Sequence, residues 1–167
     1  FNDLASVSGE TETWLAATRQ GLFRTTDNGC TFRALENKLR AHVVNFIRPH
    51  PTRHGEVLIA SQTLAADRPN DVFFSRDGGQ TWSESGLSTM GRIRALLRSD
   101  SDPDVVYVVH SDGAARSMNG GQSFEPLDLD QTLMEPVRGT DFELLAIHPR
   151  RADELFGVVV RFPASRL

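Results

Sequence analysis

The chain holds one cysteine, Cys30, in 167 residues. No internal disulfide can form, and cysteine usage leaves the redox compartment open. No apolar run approaches the roughly 18 residues that a membrane span needs. The longest, Val105-Val106-Tyr107-Val108-Val109, reads as a buried strand. There is no basic excess either: 18 Lys and Arg stand against 22 Asp and Glu, a net charge of −4. That balance argues against a nucleic-acid surface and against an anionic membrane as partner. The five histidines never fall into HxH or HExxH spacing, and CxxC is absent, so zinc has no support in the sequence. A G-x-S-x-G elbow and a glycine-rich phosphate loop are missing too. Phe1 opens the chain with no initiator Met and no signal peptide, as in a mature secreted product or a fragment. An apolar fraction of 39% and a charged fraction of 24% suit one ordinary globular domain.

What the chain does have is one short motif three times. The copies are Thr25-Thr26-Asp27-Asn28-Gly29-Cys30-Thr31-Phe32, Ser75-Arg76-Asp77-Gly78-Gly79-Gln80-Thr81-Trp82 and Ser117-Met118-Asn119-Gly120-Gly121-Gln122-Ser123-Phe124. Each reads hydroxyl, x, Asp or Asn, x, Gly, x, hydroxyl, aromatic. Asp and Asn can bond the backbone two residues on and tolerate the left-handed region. Glycine takes positive φ without steric cost. The following Ser or Thr can bond the loop back onto itself, and the aromatic opens a strand and buries a ring. The motif therefore predicts a self-satisfied hairpin turn with strands on both sides. Thr25, Asp27, Gly29, Thr31, Phe32, Ser75, Asp77, Gly79, Thr81, Trp82, Ser117, Asn119, Gly121, Ser123 and Phe124 are its structural residues. Calcium at these loops would want six to eight oxygens, and one carboxylate per loop falls short.

The apolar runs keep step with the motif. Ile47, Leu97 and Ile147 recur at intervals of 50 residues within similar segments. A second run follows each: Val57-Leu58-Ile59-Ala60, Val106-Tyr107-Val108-Val109 and Leu155-Phe156-Gly157-Val158-Val159, with Trp14-Leu15-Ala16-Ala17 as the first repeat's version. A third run leads into each motif at Gly21, Asp71 and Gly113. Four short strands, A to D, with the motif on the C–D turn, make each unit. Repeated four-stranded units of ~40–50 residues with no helix predict an all-β propeller. Blades fall at about 1–38, 39–88 and 89–130, and a partial one at 131–167.

These residues resemble the Asp-box, or bacterial-neuraminidase-repeat, β-propellers. That superfamily includes sialidases, sortilin-type receptor ectodomains, family-74 xyloglucan-active hydrolases and photosystem II assembly factors. The stretches VYVVHSDGAARSMNGGQSF and DVFFSRDGGQTWSESGL are most similar to the sortilin, xyloglucanase and assembly-factor branches. The resemblance covers essentially the whole chain and implies an extracytoplasmic location, secreted or periplasmic. Asn119 and Phe124 in the third copy depart from the usual Asp and Trp, and so do Asn28 and Cys30 within the first.

About three and a half blades fall short of the roughly four to eight of a closed ring. The expectation is a portion of a larger ring, completed by more chain or by another chain; two copies would make seven blades. The resemblance places ligands on the face carrying the B–C and D–A loops, opposite the motif turns. Loop lengths favour the same face. Leu15 to Asp27 and Tyr107 to Asn119 each span 12 residues, but Leu58 to Asp77 spans 19. Phe124 to Ile147 spans 23 where Phe32 to Ile47 spans 15. Long loops on a rigid scaffold are where binding tends to sit, although surface insertions are also tolerated without function. Candidate ligand-binding residues are therefore Asp67, Arg68 and Asn70 in one insertion, and Asp128, Asp130, Glu135 and Arg138 in the other.

No residue is nominated as catalytic, and no metal or cofactor is implied. A sialidase would need a tyrosine nucleophile, but the only one, Tyr107, sits in a valine run and reads as core. The Arg-Ile-Pro signature is absent. A glycoside hydrolase would need two carboxylates ~5–9.5 Å apart. Asp67, Asp128, Asp130 and Glu135 are available but cannot be paired from sequence. Trp14 and Trp82 fall at strand positions expected to be buried, so sugar platforms are scarce. His50, His148 and His110 read as turn or strand-end residues, His42 and His54 as solvent-facing. The leading expectation is a non-catalytic scaffold that recognises a protein or glycan partner; the other is a xyloglucanase-like hydrolase.

Overall fold

Strands begin almost at once. The computed structural model describes residues 2–9, 12–35, 39, 42–65, 67–128 and 140–161. Four antiparallel strands, β1 (Asp3–Ser6), β2 (Trp14–Thr18), β3 (Gly21–Thr25) and β4 (Arg33–Ala34), form the first sheet in chain order. The second is β5 (His42–Pro49), β6 (Val57–Thr63), β7 (Asp71–Ser75) and β8 (Ser83–Glu84). The third is β9 (Ile93–Arg98), β10 (Val106–His110), β11 (Gly113–Ser117) and β12 (Glu125–Leu127). β13 (Thr140–His148) and β14 (Arg151–Arg161) pair as a two-stranded sheet. No α-helix occurs among the described residues. The chain is all-β, with three complete four-stranded blades and half of a fourth.

The innermost strands β1, β5, β9 and β13 touch in succession, so the blades fan about one axis. Arg48 ties three of them together. Its Nε donates to the Leu96 carbonyl (2.9 Å) and its Nη1 to Asp3 Oδ2 (2.8 Å). Between blades lie the apolar clusters. Leu15, Ala17 and Leu22 of the first blade meet Ile47, Ile59, Phe73 and Trp82 of the second. Leu58, Ala60 and Val72 meet Leu96, Val106 and Val108 of the third. Tyr107 and Val109 meet Ile147, Ala152 and Leu155 of the fourth. Both faces of β6 and β10 are covered, which suits their β-branched residues.

The turns at the three motifs share one wiring. Thr25 Oγ1 donates to Asp27 Oδ1 (2.6 Å) and accepts from the Gly29 amide (3.0 Å); the Thr31 amide and hydroxyl donate to the two oxygens of Asp27 (2.9 and 2.6 Å). Ser75, Asp77, Gly79 and Thr81 repeat this at 2.8, 2.9, 2.9 and 2.6 Å. In the third copy Asn119 Oδ1 accepts from Ser117 Oγ (2.9 Å) and the Ser123 amide (3.0 Å). There the last bond reverses, with Asn119 Nδ2 donating to Ser123 Oγ (2.8 Å). Gly29, Gly79 and Gly121 hold φ of +89°, +86° and +90°.

Several expectations are corrected. The inner strands repeat at 49 residues, not 50. Pro49 pairs with Val57 and Arg98 with Val106, so Ile47 matches Leu96. β1 is the first blade's strand A, which the four-strand unit implies but whose residues the sequence did not locate. Phe32 is 42% exposed, with no blade against it among the described residues, whereas Trp82 is buried between the first two blades. Trp14 is only half-buried and donates from Nε1 to Asn28 Oδ1 (3.3 Å). His42 does not face solvent freely. It bonds Ser61 Oγ (3.0 Å) and lies edge-on to Phe73, and burial lowers its pKa.

Candidate functional site

The face opposite the motif turns carries a groove of about 460 Å³ between the second and third blades. Its apolar lining comes from four places in the chain: Leu87 and Met90 in the D–A loop after β8, Ala115 on β11, Phe124, and Pro126 and Leu127 on β12. Met90 is among the exposed large hydrophobics, and so is Leu64 in the neighbouring B–C loop.

One end of the groove is polar. Thr89 Oγ1 donates to Asp112 Oδ2 (3.2 Å) and accepts from the Gly91 amide (3.0 Å). His110 Nδ1 lies 3.1 Å from the same hydroxyl. With the hydroxyl hydrogen spent on Asp112, Nδ1 must be the donor, which leaves Nε2 as an acceptor. Burial lowers the His110 pKa, partly offset by the Asp112 charge, so the ring is neutral at pH 7. Gly91 is needed here, because a Cβ on it would lie 2.5 Å from Asp112 Oδ2.

The groove wall is held by a buried carboxylate. Asp71 Oδ1 accepts from the Val72 amide (2.7 Å), Ser85 Oγ (3.0 Å) and the Leu87 amide (3.2 Å). Burial raises its pKa against the pull of those bonds. By register Asp71 stands where the other blades have Gly21 and Gly113, since it pairs with Ser61 as they pair with Thr18 and His110.

Of the candidate ligand-binding residues, Asn70 lies beside the groove but is committed to the scaffold. It is buried; its Oδ1 accepts from the Thr63 amide (2.9 Å) and its Nδ2 donates to the Gly91 carbonyl (3.0 Å). Its backbone bridges Thr89 in both directions (2.7 and 3.1 Å). Asn70 thus fixes the loop that carries Met90. Asp67 and Arg68 are exposed on the same B–C loop. Asp128 is exposed at the rim, directly after Leu127. Asp130, Glu135 and Arg138 lie outside the described residues. The sequence reading missed Leu87, Thr89, Met90, His110 and Asp112. Among the described residues no group of three or more His, Cys, Asp or Glu could hold a metal. Among the described residues, Asp112 is the single carboxylate in the groove lining.

No family model matches the chain, and no curated protein matches it. Solved structures do. An ancestral GH74 enzyme is similar over 89% of this chain and 20% of its own, with TM-score 0.71 and 17% identity. The GH74 xyloglucanase from Xanthomonas campestris matches over 95% of this chain and 26% of its own, with TM-score 0.65 and 12% identity. YCF48 bound to D1 peptide matches over 77% and 39%, with TM-score 0.54 and 18% identity. The chain therefore spans between a fifth and two fifths of the length of these proteins. At such identity the likeness shows the fold alone, and that fold is a β-propeller.

Proposed function

We propose that this chain is a non-catalytic propeller module of the Asp-box type that binds a protein or glycan partner on its B–C/D–A face, in the groove between the second and third blades. The observation that carries this reading is the groove's chemistry: an apolar floor assembled from four segments, with one polar cluster at its end. Such a site suits an extended segment that inserts an apolar side chain and offers a donor to His110 Nε2 or Asp112. YCF48, a neighbour in fold, takes a D1 peptide. The same proposal has another chain continue the ring.

The second reading, a hydrolase acting on a polysaccharide, is favoured by the likeness to GH74 enzymes. It needs a second carboxylate opposite Asp112, a role for which Asp128, exposed directly after Leu127, is the candidate.

Titration of the chain with a D1 peptide and with xyloglucan tests both readings. Met90→Asp places a charge on the exposed groove lip and is expected to weaken binding about tenfold or more while leaving the fold intact. Unchanged affinity in that variant removes the groove as the site. Release of reducing sugar from xyloglucan by the wild-type chain overturns the non-catalytic reading.

A further inference from the structure

The groove lies inside the run of blades, between β5–β8 and β9–β12. Its apolar lip and its polar end differ in chemistry, and each is built on a fixed support. At the lip, Leu64 is 71% exposed and Met90 63%. Large apolar side chains left in water on two separate loops mark a contact surface. Asn70 ties those loops together. Its Oδ1 accepts from the amide of Thr63, just before Leu64, and its backbone bonds Thr89, just before Met90, in both directions (2.7 and 3.1 Å). Thr63 Oγ1 accepts from the Ala65 amide (3.2 Å) and closes the other side of Leu64. The lip is therefore ordered before anything binds, which lowers the entropy cost of docking.

At the polar end, Asp112 stands on a two-residue hairpin turn, since His110 pairs with Gly113. Asp112 Oδ2 and His110 Nδ1 both bond the Thr89 hydroxyl, at 3.2 and 3.1 Å, so the two side chains lie next to each other. Asp112 Oδ1 and the acceptor His110 Nε2 make no bond to a described residue. Among the described residues the lining contains no Lys or Arg. Burial lowers the His110 pKa, and Asp112 is the single charge that acts on the ring. A carboxylate and an imidazole acceptor, with no cation of the lining to answer them, complement a positive group rich in N–H donors.

We propose that this end of the groove is a cation site, and that the partner is a protein segment in which a lysine or arginine lies close to an apolar side chain. The apolar side chain rests on the Met90 lip, and the ammonium or guanidinium bridges Asp112 and His110 Nε2. This rests on the reading of the groove as the binding site and names the chemistry of what enters it. A neutral glycan offers hydroxyls to the same acceptors but no charge, and besides His110 the described lining has one aromatic ring, Phe124, for a sugar to stack on.

Fluorescence anisotropy with short dye-labelled, C-terminally amidated peptides tests this. Each contains one leucine and one arginine, separated by no, one or two glycines. In the controls citrulline, which keeps the shape and loses the charge, replaces arginine. The best arginine peptide is expected to bind about three- to tenfold more tightly than its citrulline counterpart and to weaken as NaCl rises. Asp112→Asn keeps an acceptor for Thr89 and is expected to erase that preference. Met90→Ser is expected to weaken both peptides alike. Equal binding of arginine and citrulline peptides overturns the cation site, and so does a preference that survives Asp112→Asn. Xyloglucan binding with no arginine peptide bound at millimolar concentration also overturns it. The groove reading fails separately, when Met90→Ser changes the affinity of neither peptide.

Discussion

At the scale of single residues, the turn aspartates are acceptors surrounded by donors. The hydroxyls of Thr25 and Thr31 and the Thr31 amide hold the Asp27 carboxyl down to about 2. For Asp77, burial pushes up, but the bonds from Thr81 and Ser75 outweigh it and the net shift is downward. A carboxylate depressed in the folded state stabilises fully above its unfolded value near pH 4, and the contribution is lost as pH falls toward the folded value. His42, His50 and His110 are lowered, chiefly by burial, and act in a higher window. Their contribution is complete above about pH 6.5 and falls away below it. Urea midpoints measured from pH 7 to pH 2 are therefore expected to decline in two stages. The doubly substituted Asp27→Asn, Asp77→Asn chain is expected to lose part of the stage below pH 4, the rest belonging to Asp104, which Arg53 also holds down; Asn119 already makes an equivalent turn without titrating. An undiminished acid stage in that variant would show that the turns do not carry it.

Individual strands were legible where their logic is local. The turn motif satisfies its own hydrogen bonds within seven or eight residues, so its residue types announce it. The runs 57–60 of β6 and 106–109 of β10 are apolar because a blade lies on each side. Features set by a neighbouring blade were not legible. Phe32, Trp82 and Phe124 look alike in sequence, yet Phe32 is exposed while Trp82 is packed against the neighbouring blade, a difference no local pattern carries. β1 is four residues with polar ends, too short to show a period. The groove escaped notice because its lining is spread from Leu87 to Leu127 and meets only when two blades stack. Asp71 was the available clue, a carboxylate where the repeat otherwise has glycine. The junction makes its own prediction at this scale. Gly29→Ala and Gly121→Ala meet the same positive φ, at about 1–2 kcal/mol. Only Gly121→Ala also drives a methyl into buried Leu58, an overpacking worth about 1–3 kcal/mol more. Denaturation at high dilution is expected to rank Gly121→Ala as the more damaging. Equal effects would mean that the turn does not lock the blades.

On the scale of the whole molecule, the blades give two faces with different work. One is closed by turns that satisfy their own polar groups and by the ion pair of Arg53 with Asp104. The other carries the second blade's B–C loop, the exposed Leu64 and Met90, and the groove. Asp71 and Asn70 spend their polar atoms on shaping that second face. The most direct test of this division is a hydrogen-exchange footprint of the chain with D1 peptide or xyloglucan bound. The account predicts slowed exchange at amides 87–91, 110–115 and 124–128. Slowing confined to the turns at 26–31, 76–81 and 118–123, or no footprint with either probe, would contradict it.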